Sequence, residues 1–402
     1  MKIVLSYGLG VDSTALLFRW LTEPDSRDFD LSDLLVVTAM TGDEWPDTVE
    51  LVERHVLPRL TEAGVTYVQV ARGGASQKDG IAILDDTDEP HRLYADGAYR
   101  LSDELTSAGT IPQAAGSRYC SQKFKGWVLD TYLAECAPEV TRHAFGYEAG
   151  ETARATRCEE NMPNRLAFGF DSTETARARR ATEFDGPLRV AEFPLIEWGW
   201  DRMDCLRFIE QTAGISDWPK SACVYCPFAL TNRAGRERTL NRYDDDRDSA
   251  METLMLERRS LCLNPRGGLI AGDRLFDLLW KERPAIVKSF ERLAEEAPHS
   301  VYEVRRIWRS KRQANRDLRV LHNGSRAECE ALLRQFGKID DSDSIGRVYL
   351  LRKGDELPTR EHFVVAGPAG AREKALPSFP RWWEEVDHQQ LSLTSSELAV
   401  AA

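Results

Sequence analysis

The chain has 402 residues, a formal net charge of −12 at pH 7 and 42% hydrophobic residues, enough for two domains or one large domain with additions. That apolar fraction beside 29% charged residues excludes global disorder, and no apolar run reaches the ~18 residues of a membrane span. The start MKIVLSYG turns to glycine too soon for a secretory signal, so a cytoplasmic protein without membrane partners is expected, and its acidity excludes a whole-surface nucleic-acid binder but not a local basic patch.

The first seventy residues alternate between strand and helix patterns. Lys2–Tyr7 reads as a short strand, Ser13–Leu21 as a helix, and Leu34–Met40 as a strand apolar throughout, as one covered on both faces would be. A helix around Asp47–Leu60 and a strand at Val65–Ala71 complete a β-α-β-α-β rhythm. That rhythm predicts an α/β fold with a doubly wound, mostly parallel sheet, its ligand site at the carboxyl ends of the strands.

Gly73–Ser117 reads as a polar insertion of low sheet content. Lys123–Glu135 follows as a helix, Arg142–Tyr147 as a strand, Thr173–Arg180 as an exposed turn or helix, and Arg189–Ile196 as an apolar run. Asp201–Thr212 is an amphipathic helix pattern. Beyond about Asn232 charged, helix-like stretches dominate: Asp244–Arg259, Asp273–Trp280 and Ala285–Glu296. A small β element is expected in 345–365 and a frayed tail over Leu391–Ala402. The expected division is residues 1–235 as an α/β domain and 236–402 as a mainly helical one.

Ser6-Tyr7-Gly8-Leu9-Gly10-Val11-Asp12-Ser13-Thr14 joins the first strand to the first helix. Free N–H groups at a helix start, with glycines allowing close approach, suit a phosphate group. The segment is neither a Walker A loop nor a Gly-x-Gly-x-x-Gly fingerprint, and a tight turn with a helix cap is the plain alternative. It resembles the Ser-Gly-Gly-x-Asp-Ser signature of the PP-loop ATP pyrophosphatases, the adenine nucleotide alpha-hydrolase superfamily. Gly10, Asp12 and Ser13 agree with that signature, while Gly8 and Leu9 stand where it has Ser and its first Gly.

Thr41-Gly42-Asp43-Glu44-Trp45-Pro46-Asp47-Thr48, at the end of the second strand, resembles the Thr-Gly-x-Glu-x-Pro-x-Thr segment of phosphoadenosine phosphosulfate (PAPS) reductase-like proteins. Gly146-Tyr147-Glu148-Ala149-Gly150-Glu151-Thr152-Ala153-Arg154 resembles that family's Gly-x-x-x-x-Glu-x-x-Arg segment, and Phe193–Trp198 its Pro-Leu-x-x-Trp segment. Trp198 and Trp200 read as core aromatics before they read as a substrate pocket. The motifs cover about residues 3–230.

Cys223-Val-Tyr-Cys226 places two thiols on one turn, able to hold a metal ion or form a redox pair. Cys120, in Arg118-Tyr119-Cys120-Ser121-Gln122-Lys123-Phe124-Lys125, is the best third ligand, with Cys205 or Cys262 as a fourth or an open iron instead. Cys120 and Lys125 keep the family's Cys-x-x-x-x-Lys spacing. Cys136, Cys158 and Cys329 read as structural or incidental.

The resemblance implies an enzyme that splits ATP, with Mg²⁺, into AMP and pyrophosphate and adenylates an acceptor for sulfur transfer assisted by an iron–sulfur cluster of the 4Fe-4S kind. By that resemblance Asp12, Ser13, Lys125 and Arg154 are catalytic. Ser6, Gly8, Leu9, Gly10, Val11, Thr14, Thr41, Gly42, Asp43, Gly146 and Glu151 bind nucleotide, and Cys120, Cys223 and Cys226 bind the cluster. The nearest role is that of the sulfurtransferases of DNA phosphorothioation, which implies a cysteine desulfurase as sulfur donor. The alternatives are a sulfonucleotide reductase, opposed by a tail without cysteine, and a non-catalytic nucleotide-binding regulatory or defence protein. Arg305, Arg306, Arg309, Lys311, Arg312, Arg316 and Arg319, with Trp308 among them and only Asp317 opposing, form a candidate nucleic-acid contact or else a solvated helix face.

Overall fold

The computed structural model describes residues 2–114, 118–161, 190–270, 273–310, 314–340, 342 and 344–387. The expected features at Thr173–Arg180 and Leu391–Ala402, and the side chains of Lys311 and Arg312, lie outside these residues. The chain divides into two compact units. Met1–Ser102 with Ser117–Val224 forms the first, and Asp103–Gly116 with Tyr225–Ala402 the second.

The first unit is built on six strands: β1 (Lys2–Ser6), β2 (Leu34–Met40), β3 (Thr66–Arg72), β4 (Ile81–Thr87), β5 (Val140–Phe145) and β6 (Val190–Glu192). Their order across the sheet is β4-β3-β2-β1-β5-β6. All neighbours are parallel except β3 and β4. The fold is therefore α/β with a mostly parallel sheet. In β1, Ile3 and Leu5 enter one apolar cluster with Val36 and Tyr67, while Val4 enters another with Val37 and Val68. Side chains two apart share a face of a strand, so this split shows that both faces are covered.

β1 is where the order reverses, since the chain runs from it to β2 on one side while β5 pairs on the other. A crevice at the carboxyl ends of the strands opens at such a switch point. The first helix, Val11–Thr22, starts there with Gly10 as its N-cap. The expected helix over 47–60 is two helices, Pro46–His55 and Leu57–Ala63, the second carrying proline in its first turn.

The region 73–117 corrects the expectation of a polar insertion with little sheet. It contributes β4, an antiparallel edge strand with acidic residues at Asp85 and Asp86, which suits an edge, and the helix Leu101–Ala108. The helix expected from Lys123 begins earlier, at Tyr119, and passes through a wide turn at Gln122–Gly126 before continuing as Trp127–Glu135. The apolar run at 189–196 is the short β6 followed by a one-turn helix, Pro194–Glu197. Asp201 caps the helix Arg202–Ala213 in a capping box with Asp204.

The second unit contains the helices Arg233–Asp245, Arg247–Leu263, Leu275–Glu282, Pro284–Glu296 and Arg326–Leu333. It also contains a four-stranded antiparallel sheet of β7 (His299–Trp308), β8 (Ala314–Gly324), β9 (Arg347–Leu351) and β10 (Thr359–Pro368), ordered β8-β7-β10-β9. A mainly helical domain was the expectation, and the sheet is the correction. The basic stretch is the β7–β8 hairpin, not a helix face.

Residues 103–116 belong to this unit through several ties. Arg259 donates to Thr106 Oγ1 at 3.3 Å, Arg372 N–H to Ser107 O at 2.9 Å, and Arg316 to the carbonyl of Ala108 at 2.5 Å. Leu263 packs so closely on Gly109 that a Cβ there would lie 2.2 Å from its Cδ1.

Candidate functional site

The site starts from the loop between β1 and the first helix. Tyr7, buried, hydrogen-bonds Thr14 Oγ1 at 3.1 Å, and burial pushes its hydroxyl pKa up. Ser13 Oγ accepts from Gly8 N–H and donates to Gly10 O, both at 3.2 Å. Gly10 gives the helix no side-chain cap. The first N–H groups of a helix have no partner within it, so this end favours negative charge.

Asp12 sits in that first turn. Its Oδ2 accepts from Arg202 at 2.6 Å, while its Oδ1 is buried and has no hydrogen-bond partner among the described residues. Burial raises the Asp12 carboxyl pKa against the pull of Arg202, and the nearby Glu151 and Glu148 carboxylates push it further up. A buried carboxylate oxygen without a partner is costly in a folded protein and asks for a ligand or cation.

The loop after β5 closes the other side. A Cβ on Gly146 would lie 2.8 Å from Ser13 N and Cα, so only glycine lets the two loops meet. Beyond it Glu148 accepts from Gly150 N–H at 2.7 Å, and Arg154 pairs with Glu151 at 2.8 Å while stacking 4.0 Å above Tyr147. Arg154 thus stands at the loop's mouth, half-exposed.

The Thr41–Pro46 turn is held from two directions. Gly42 has a φ of +91° and lies under Arg100. Asp43 accepts from Arg100 at 2.7 Å and from the N–H and hydroxyl of Ser102 at 2.9 and 2.7 Å. Its carboxylate is committed to these partners. Glu44 accepts from Ser221 Oγ at 2.6 Å and Ala222 N–H at 3.0 Å, with burial raising its pKa and Lys125 opposing the rise. Thr41 Oγ1 lies 3.2 Å from the Cys223 sulfur. Burial raises the Cys223 thiol, again against Lys125.

Of the expected nucleotide-binding and catalytic residues, the structure brings Gly8, Leu9, Gly10, Val11, Asp12, Ser13, Gly146 and Glu151 together at the switch point. Lys125 faces the Thr41–Glu44 turn. The side chains of Ser6 and Thr14 turn elsewhere, Ser6 to His143 Nε2 at 2.6 Å and Thr14 to Tyr7. Glu44, Arg202, Trp218 and Ser221 were not singled out from sequence. Glu44 lay inside a quoted motif, and Arg202 followed a readable helix cap; nothing local marked Trp218 or Ser221.

Of the three expected cluster ligands, Cys120 and Cys223 belong to the first unit and Cys226 to the second. Among the described residues no group of three or more His, Cys, Asp and Glu side chains is placed to hold a metal ion. Cys120 is half-buried on the turn Tyr119–Ser121, Cys223 faces Thr41, and Cys226 falls in the second unit, where it precedes the turn Pro227–Leu230 in the neighbourhood of Tyr243. The suggested fourth ligands are core residues. Cys205 is fully buried, its thiol pushed up to about 12 by burial, and Cys262 packs among Tyr302, Val304 and Phe363. Trp198 and Trp200 are half-buried at the edge of the core and not within it, stacking on the Arg19 guanidinium at 4.2 and 4.4 Å.

The described arginines of the β7–β8 hairpin are engaged inside the second unit. Arg305 pairs with Asp317 at 2.6 Å, and buried Arg306 pairs with Glu361 at 3.2 Å and donates to Leu263 O. Burial brings the Arg306 pKa down to about 10. Arg309 stacks over Trp382 at 5.1 Å, and Arg319 lies 3.8 Å from Glu303. Glu303 and Glu361 thus join Asp317 as opposing charges.

Comparisons with protein-family models, curated proteins and solved structures return no match for this chain.

Proposed function

We propose that the first unit binds ATP at the β1–β5 switch point and cleaves it between the α- and β-phosphates, passing AMP to an acceptor. The acceptor oxygen bonds to the α-phosphorus as the bond to the bridging oxygen breaks, and pyrophosphate leaves. The observation that carries this reading is Asp12, with a buried and unpartnered Oδ1 beside a helix N-terminus that no side chain caps. The N–H groups of that first turn would receive the phosphates. A carboxylate oxygen suits a hard cation, so Asp12 would hold Mg²⁺, which neutralises phosphate charge when bound. Arg154, half-exposed beside Glu151, would exchange that contact for a phosphate oxygen. Lys125 lies beside the Thr41–Glu44 turn, within reach of Glu44 and Cys223.

Sulfur delivery to nucleic acid, from a cysteine desulfurase, rests on the motif resemblance. A second reading, ATP held without turnover, is favoured by the Asp12–Arg202 pair, which already occupies one carboxylate oxygen.

Incubating the purified chain with ATP and Mg²⁺, with nucleotides separated by chromatography, tests both. AMP and pyrophosphate are expected, falling about a hundredfold or more in Asp12→Ala, the scale of losing a principal charge-stabilising group. ATP bound but returned intact, with nucleic acid supplied as acceptor, supports the sensor. Release of ADP, or no binding, overturns the proposal.

A further inference from the structure

Leu9 has a φ of +63°. The left-handed region is open to glycine but disfavours a side chain with a Cβ, and leucine has no short polar group to compensate locally. Something outside the loop must therefore hold the residue there. The contact is visible: the Trp218 indole N–H donates to Leu9 O at 3.1 Å. Trp218 is itself 1% exposed, and its ring meets Phe18 of the first helix edge-on at 6.2 Å. The leucine side chain, 3% exposed, is buried in the same apolar cluster.

The pin belongs to a longer strap. A Cβ on Gly10 would lie 3.5 Å from Ser221 N, so the chain after Trp218 runs alongside the loop. Ser221 and Ala222 then take the Glu44 carboxylate, and Val224 N–H donates to Asp43 O at 3.0 Å. One segment thus ties the loop after β1 to the turn after β2.

We propose that Trp218 is a positioning residue for the nucleotide site: its indole N–H holds Leu9 left-handed and so keeps the N–H groups from Gly10 to Ser13 aimed at phosphate. This rests on the nucleotide-binding reading above. In a loop with glycine at position 9 no pin would be needed, and the tryptophan is what lets leucine stand there.

The test compares Trp218→Phe, Leu9→Gly and the double variant. Phenylalanine keeps an aromatic ring against Phe18 but removes the N–H. ATP–Mg²⁺ affinity, measured by calorimetry, is expected to fall about tenfold in Trp218→Phe as the competent loop becomes a minor population. In the Leu9→Gly background the same Trp218→Phe change should alter affinity by no more than about twofold, since glycine adopts the conformation unaided. A purely structural tryptophan would leave the double variant as weak as Trp218→Phe.

Unchanged affinity in Trp218→Phe, or no rescue by Leu9→Gly, overturns the proposal. If Trp218→Phe does not fold, recovery of a folded double variant is the same rescue, and failure of both variants overturns it. If the natural chain binds no ATP, the nucleotide reading falls, and hydrogen exchange then decides the pin. Amides of residues 8–13 should exchange about tenfold faster in Trp218→Phe while those of Ile3–Leu5 do not change. No change in the loop would overturn the pin.

Discussion

In the loop after β1, Asp12 keeps one buried oxygen without a hydrogen bond, whereas in the β7–β8 hairpin Arg305, Arg306 and Arg316 each end on a carboxylate or a carbonyl. Both regions bring charge inward. The hairpin's charges end on partners, Asp317 within it and Glu361 on β10, because an uncompensated buried ion is expensive. The loop leaves a carboxylate half-satisfied beneath a bare helix end. Sign and number of charges mark both regions in the sequence; only the state of their partners separates scaffold from site.

The largest effect that would break this contrast is on β10, beside the hairpin. Glu361 accepts from Arg306 and, at 3.3 Å, from the Trp308 indole, so Glu361→Ala strands a buried guanidinium. It should lower unfolding stability by about 3–5 kcal/mol in denaturant titration, while Arg306→Met with Glu361→Leu should lie much closer to the natural chain. A small loss in the single variant would mean that the pair is not closed as described.

Asp12→Asn should do the opposite. With the carboxyl pKa raised on folding, ionisation costs the native state stability as pH climbs above the ordinary value of 3.8. The asparagine variant should therefore unfold at higher temperature than the natural chain at pH 7, and the gap should close below pH 3.8, where the carboxyl is protonated in both states. Arg202 is 41% exposed and can turn to water. Equal melting at pH 7 would remove Asp12 from the strained class. The smallest effect is expected of Arg319→Ala, an exposed residue whose loss should change stability by less than about 0.5 kcal/mol. It should also leave the salt dependence of any nucleic-acid binding untouched; a shallower salt slope would show that the hairpin's charge is open after all.

The parallel half of the fold was legible because its strands are short apolar runs separated by helical patterns. β2 is apolar but for Thr38 and spans the expected Leu34–Met40. The hairpin was hidden by its own composition. Arg305 faces Asp317 and Arg306 faces Arg316 across the ladder, so charged residues fill positions that usually alternate with apolar ones. β4 was missed for a related reason, its acidic end reading as loop. In the site, the glycines and Asp12 announced themselves by spacing within one loop. Arg202, Glu44, Ser221 and Trp218 did not, because each acts on a partner about 170 to 210 residues away.

The return of residues 103–116 to the second unit sets an order on biosynthesis. Thr106 leaves the ribosome 153 residues before Arg259, the side chain that receives it. At synthesis rates of roughly 5–20 residues per second, that is a wait of about 8 to 30 s with the segment's final neighbours not yet made. A chain stopped after Val224 would never supply them. Leu263, which seats Gly109, and the carbonyl-seeking Arg316 would both be missing from such a fragment.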